Sequence, residues 1–227
     1  ALTKSYYYMI GLSTVVDTLN NSMVGGTEMS TQKNSLTIKD LVTTGIFSAL
    51  CFILVLLGGV FFGANPVLTF WMPVGSALLA GPVFLLLIAK VPKHGPLTIV
   101  GVITGLIFFV TGMHWTMCVA YAVFGVGADL IVGAGKFKNI WLNILAYMLY
   151  SLAAIFPYVM FFFSRESYMS YLLAKGTDQA YLDTMAQAGQ DWIFPVIVIG
   201  TLLVSFLSGL FGKKLLKKQF EKAGITA

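Results

Sequence analysis

The chain has 227 residues, a mean hydropathy of +0.86 and only 10% charged residues, against about 25% in an average soluble domain. That composition cannot furnish the polar surface of a soluble domain and points to one integral membrane domain. The formal net charge of +5 is no nucleic-acid signature, because the lysines flank apolar runs as they do in membrane proteins; the expected partners are a lipid bilayer and no nucleic acid.

Residues 6–16 form an apolar run of only 11 residues, where a membrane span needs about 20. Lys4 ahead of it faintly resembles a signal peptide, but no small-residue cleavage site follows. Residues 20–33 are rich in Asn, Ser, Gly and Thr and read as a linker. Residues 1–32 are therefore set apart as an N-terminal segment, either sequence ahead of a native start at Met29 or an interfacial helix. Residues 33–227 form the membrane domain.

Six apolar runs follow, at 41–62, 68–89, 97–112, 115–132, 140–163 and 192–211. Pro73 and Pro82 interrupt the second and predict a broken or re-entrant start near the outer surface. Only Met113 and His114 separate the third and fourth, and Pro157 lies near the outer end of the fifth. The connection 165–191 is too long for a turn, and its segments 167–174 and 179–188 predict short helices capping the outer face. Every second connection is basic: Lys33 and Lys39, then Lys90 and Lys93, then Lys136 and Lys138, then Lys213, Lys214, Lys217, Lys218 and Lys222. Positive loops stay cytoplasmic. The predicted fold is an all-α integral membrane protein of six transmembrane helices, both ends inside, with an extracellular helical cap between helices 5 and 6.

Small residues recur at four-residue spacing, at Gly45/Ala49, Ala77/Gly81, Gly101/Gly105 and Ser205/Gly209. Such pairs let helices approach closely in lipid, and most of them predict contacts inside the bundle. No HExxH, GxSxG, Walker A or kinase set occurs, so no enzyme is expected. Cys51 and Cys118 lie inside apolar runs and suggest neither a disulfide nor a zinc site. Asp129 is the one carboxylate within a span; its nearness to Lys136 and Lys138 predicts a structural ion pair or polar contact.

The stretch Gly112–Cys118 (GMHWTMC) is the richest in chemistry. On a helix His114, Met117, Cys118 and Tyr121 follow i, i+3, i+4, i+7 and share one face. His, Met and Tyr are axial ligands in haem proteins; equally, such a stripe describes bundle core and a hydrogen-bonded interfacial histidine. The outer face also gathers Asn65, Phe70, Trp71 and Met72, then Tyr158, Phe161 and Phe162, then Tyr168, Tyr171, Tyr181 and Trp192. Interfacial belts have this composition, and so do pockets for planar apolar ligands.

The segment KDLVTTGIFSAL, the second span WMPVGSALLAGPVFLLLIAKVPKHG and the GMHW–ADLI segment resemble the Trep_Strep subfamily of substrate-binding S-components of energy-coupling factor (ECF) transporters, over residues 35–218. The resemblance implies a subunit of the bacterial plasma membrane that binds a micronutrient near the outer face, docks on a membrane T-component driven by two cytoplasmic ATPases, and topples to carry the site inward. It implies that the small pair on helix one, Gly45 and Ala49, is the docking surface, with Gly where Ala is more usual. No intrinsic cofactor is implied. Haem is the specific expected cargo, with His114 on the iron and Met117, Tyr168 or Tyr171 approaching from the other side. Phe70, Trp71 and Tyr121 would supply apolar walls. A vitamin-like organic cofactor or precursor is the alternative cargo. A structural membrane subunit and a small membrane enzyme are the competing classes.

Overall fold

The computed structural model describes residues 35–222 and 224; the readings on residues 1–32 lie outside them. Helix α1 (Ile38–Gly63) begins at a reciprocal cap. Thr37 Oγ1 accepts from the Asp40 amide at 3.2 Å, and the Asp40 carboxylate accepts from the Thr37 amide at 2.9 Å, satisfying two amide donors that a helix start leaves open. Lys93 joins the same carboxylate at 2.8 Å, which ties the second basic connection to the start of α1.

Past α1 the Asn65 side chain accepts from the amides of Val67 and Leu68 and turns the chain into a 3₁₀ turn, Thr69–Trp71. Helices α2 (Met72–Leu79) and α3 (Gly81–Lys90) follow, bent 41° from one another. Each carries a proline in its first turn, Pro73 and Pro82. Proline lacks the amide donor and suits a helix start rather than its interior. The sharper break therefore falls ahead of Pro82, in the middle of the second apolar run, and not only at the outer start that the sequence suggests.

Helix α4 (Pro96–Val110) packs along α5 (Trp115–Ala134). Next come α6 (Ile140–Ser151), a 3₁₀ segment (Leu152–Ile155) and α7 (Phe156–Phe163), which together make one apolar stretch. The cap is formed by α8 (Arg165–Ala174) and α9 (Gln179–Ala188), and the chain closes with α10 (Ile193–Leu215) and the short α11 (Lys217–Lys222). No strand occurs among the described residues. Four stretches are long and apolar enough to cross a membrane, α1, α5, α6–α7 and α10, and the bent α2–α3 pair makes a fifth. Helix α4, at 15 residues, is about 22 Å long at 1.5 Å per residue, short of the roughly 30 Å hydrocarbon layer. The third apolar run, read at 97–112 and already short in the sequence, is matched by α4, which by length alone does not cross that layer.

Glycines set the helix spacing. A methyl group on Gly58 would run into the Gly75 carbonyl, so α1 and α2 touch backbone to backbone; one on Gly101 would meet the Tyr121 carbonyl and Gly125 across the α4–α5 contact. In lipid, close packing of this kind replaces the hydrophobic drive. Replacing Gly101 with valine should therefore cost about 1–3 kcal/mol of stability through overpacking, read as a lowered Tm in detergent. A variant as stable as the parent would rule out this α4–α5 contact.

Two apolar clusters result. The larger lies inside the bundle around Phe84, Tyr121, Tyr147 and Tyr150; Tyr147 donates to the Ala77 carbonyl at 2.7 Å and Tyr150 to Thr104 Oγ1 at 3.1 Å, as buried hydroxyls must. The smaller joins Phe70, Tyr158, Phe161, Tyr168, Met185 and Ile197 beneath the cap.

Candidate functional site

A cavity of about 480 Å³ lies between the end of α1, the start of α2, the α4–α5 connection, the α6–α7 junction and the two cap helices. Its apolar walls come from Leu56 and Val60 of α1, Pro73, Ala154, Pro157 and Leu172. Its polar groups are Thr69, Ser76, His114, Tyr158, Tyr168, Thr177 and Tyr181, and four thioethers, Met72, Met113, Met117 and Met185, complete it. No side chain that lines it is formally charged at neutral pH. The size and the few polar groups on an apolar wall suit a small organic ligand.

Two tyrosines fasten the cap over the cavity. Tyr181 donates to the Gly63 carbonyl at the end of α1 at 2.8 Å, and Tyr171 donates to the Met113 carbonyl at 3.2 Å. Arg165 holds the cap's far side, donating to the Gly189 carbonyl at 2.8 Å while its guanidinium lies 4.7 Å from the Phe161 ring centroid. Helix ends expose unpaired carbonyls, so a cap hydroxyl at Gly63 both satisfies one and closes the site.

His114 is the N-cap of α5 and is 3% exposed. Its Nδ1 lies 2.8 Å from Thr116 Oγ1 and accepts from the Thr116 amide at 3.3 Å. The ring packs edge-on against Tyr171 at 4.5 Å between centroids and lies 5.5 Å from Tyr168. Burial pushes the His114 pKa below its ordinary value and pushes the Tyr168 and Tyr181 hydroxyls above theirs, so all three are neutral near pH 7. Two neutral tautomers are open: Nδ1–H donating to Thr116 Oγ1, which gives up the Thr116 amide, or Nε2–H, which keeps it. One leaves Nε2 with a lone pair for a metal or donor; the other makes Nε2–H a donor.

The residues singled out in the sequence divide into three groups. His114, Met117 and Tyr168 line the cavity. Tyr171 stands behind them, packed on His114. Phe70, Trp71 and Tyr121 are not among its lining residues. Phe70 is fully buried in the aromatic cluster under the cap, 5.1 Å from Phe161. Trp71 belongs to the 3₁₀ turn, where the next residue, Met72, reaches the cavity instead. Tyr121 sits two turns down α5 from His114, stacked on Phe108 at 5.7 Å and edge-on to Tyr150 at 5.1 Å. The stripe read from spacing exists, but only its upper part meets open space. Met72, Tyr158 and Tyr181, which the sequence only places on the outer face, line the site, as do Met113, Ser76 and Met185. The thioethers come from α2, the α4–α5 connection, α5 and α9; Met113 and Met117 share the GMHWTMC stretch, and no sequence spacing links that pair to Met72 or Met185.

Elsewhere, Asp129 contacts neither Lys136 nor Lys138 but accepts from the Gly95 amide at 2.6 Å and lies 3.6 Å from His94 Nδ1, a polar contact that fastens the start of α4 to α5. Gly45 and Ala49 lie on the exposed face of α1, while Thr44, Ser48, Cys51 and Val55 face inward. Among the described residues no three His, Cys, Asp or Glu side chains come together as a metal site.

A family model described as a hypothetical bacterial integral membrane protein (Trep_Strep) matches residues 38–222. The chain belongs to the Trep_Strep family. Together with the apolar helices, this makes it a multi-pass membrane protein of bacteria. The matched stretch runs from the first residue of α1 to the last of α11, so the cavity and cap belong to the Trep_Strep part of the chain. No curated protein and no solved structure matches it.

Proposed function

We propose that this Trep_Strep protein is the substrate-binding S-component of an ECF-type importer for a micronutrient, working with a T-component and two cytoplasmic ATPases and carrying out no catalysis itself. The observation that carries the reading is the cavity: about 480 Å³, uncharged, roofed by two helices, at one end of a membrane bundle. The opposite end holds the lysines of the basic connections, Lys93 and Lys213 among them. Asp40 at the start of α1 binds Lys93, and Gly63 at its end binds the cap; the helix between them is 26 residues long in all, about 39 Å. With positive loops inside, the cap faces outward, both described ends face the cytoplasm, and α4 completes six membrane-embedded segments by leaning on α5. A purely structural subunit would fill the cavity with side chains.

For the cargo, the imidazole and thioethers favour haem. His114 in the Nδ1–H tautomer gives up the Thr116 amide, donates to Thr116 Oγ1 and presents Nε2 to iron, with the partner on the other ring nitrogen that ligating histidines need. Met117 lies one turn along the same helix and so stands on the same wall. A second donor from another wall would be Met72 of α2 or Met185 of α9. Neutral Tyr168 is a poorer donor. Lys175, 5.6 Å from the Tyr171 ring, is the cation near the rim for a propionate. The uncharged lining itself favours a vitamin-like neutral organic molecule, with Tyr168, Ser76 and Thr177 as hydrogen-bonding groups. The protein purified from its membrane should release a bound small molecule identifiable by mass spectrometry. Haem in that extract settles the first cargo, another cofactor the second, and repeated recovery of the protein empty, with no binding on addition of either class, would sink the binding-subunit reading.

A further inference from the structure

We propose that the lysine-rich end of the bundle carries a headgroup site for an anionic phospholipid. A second cavity, of about 460 Å³, is lined there by Lys213, Lys214, Lys217, Glu221, Ile140, Leu210 and Phe220. Three lysines against one glutamate leave a net charge of +2 around an apolar floor. The shape is built. After α10 ends, the short α11 folds back because Phe220, 4% exposed, is buried against the bundle, and this stands Lys217 over the notch. Lys213 is fixed from the other side, its Nζ 4.6 Å from the Trp141 ring centroid, a cation–π distance. Glu221 engages Lys217 only loosely, at 3.9 Å, and neutralises one of three charges.

Topology alone explains lysines at this end, but it requires neither a concavity nor an apolar floor among them. A phosphodiester takes the ammonium groups, and the floor suits the glycerol and first methylenes of a lipid; a free phosphate would gain nothing from Ile140, Leu210 and Phe220. The neighbouring surface continues the match. Trp141 and Leu145 of α6 and Leu207 and Phe211 of α10 are exposed large apolar side chains, on two helices that pack together, so acyl chains have a path leading from the notch. Trp141 is 49% exposed, as an interfacial tryptophan should be. Basic pockets between membrane helices bind anionic headgroups on this principle.

The test is lipid retention by the full chain, measured by native mass spectrometry after exchange into detergent containing equal phosphatidylglycerol, cardiolipin and phosphatidylcholine. Anionic lipids should be retained over phosphatidylcholine, and Lys213→Gln with Lys217→Gln should weaken that retention by about fivefold per lysine. The double variant Lys39→Gln with Lys90→Gln removes the same charge from the same end but outside the notch, and should leave retention unchanged. Lys213→Arg with Lys217→Arg keeps the charge and should retain lipid, which separates loss of the site from loss of the fold. Equal losses in the two glutamine doubles would reduce the effect to general surface charge and overturn the proposal. So would displacement of the lipid by an equal concentration of inorganic phosphate, or recovery of an acidic protein on this face in place of lipid.

Discussion

If haem is the cargo, replacing His114 with asparagine should remove the Soret band that haem addition would give, or weaken haem binding at least roughly tenfold, since even the supporting partner of a metal ligand is worth ten- to hundredfold. Asparagine is the informative replacement. His114 has two duties, lining the cavity and capping α5 through the Thr116 amide. Alanine loses both, and an absent cap alone costs about 1 kcal/mol. Asparagine is among the best N-caps, so it keeps the helix start and withdraws only the imidazole. His114→Ala should give the same spectral change with a lower Tm. The pH dependence has a fixed sign. Burial lowers the His114 pKa from its ordinary 6.5, and only the neutral ring has a lone pair for iron. Haem affinity should therefore be flat above pH 6.5 and fall only at more acidic pH. A midpoint above 6.5, or an unchanged spectrum and affinity in His114→Asn, would remove His114 as ligand. Absence of haem binding in the parent protein would pass the site to a vitamin-like molecule, for which His114→Asn costs one hydrogen bond, about 1–3 kcal/mol.

The elements were legible where the physics is local. Apolar runs and lysine flanks gave the helices of the described residues, and Asn139 and Asp178 cap α6 and α9 as their residue types lead one to expect. The two cap helices emerged close to the boundaries read from the 165–191 connection. The break in the second run was legible as proline, but which proline bends the chain depended on packing. Pro73 follows a 3₁₀ turn, whereas Pro82 sits where Gly81 abuts Ser208 of α10.

The site was only half legible. His114, Met117 and Tyr168 share the cavity because the α4–α5 connection and α8 come together, and the heptad-like stripe found the first two. It also pointed to Tyr121, which lies deep enough to be claimed by Phe108 and Tyr150. Periodicity gives a face but not a depth, and depth decides between ligand wall and core. Phe70 failed in the same way: an aromatic at the outer end can face a ligand or another aromatic, and it faces Phe161. Met72 and Met113 fall in stretches that the sequence marks on the outer face, but nothing in the sequence joins them to each other or to Met185; only the fold brings the three to one space.

Helix α1 supplies the second large effect. Leucine at Gly45 or Ala49 should abolish transport while leaving ligand binding intact. Both positions lie on the exposed face of α1, and the Cβ position of Gly45 has nothing within 4 Å, so a larger side chain meets no neighbour inside the protein. The buried glycine contact of the same helix is elsewhere, at Gly58 against Gly75. Of the four uninterrupted spans α1 is the least enclosed by its own bundle, and Ile46, Leu50 and Ile53 extend its open apolar face. A partner helix approaching at Gly45 and Ala49 gains contact only at close range, because dispersion and backbone proximity are what hold helices together in lipid. A leucine there holds the helices apart. A loss of about 1.4 kcal/mol at that contact is already tenfold in docking, and transport in reconstituted vesicles should fall at least that far. Ligand affinity of the isolated subunit should stay within about twofold, since a change on the outer face reaches the cavity through no contact. Gly58→Leu is the contrasting variant: it should lower both stability and binding, because it drives α1 away from α2 and from Met72. If Gly45→Leu transports normally, docking uses another face of the bundle. If it loses ligand binding together with transport, the open face of α1 is instead needed to shape the cavity.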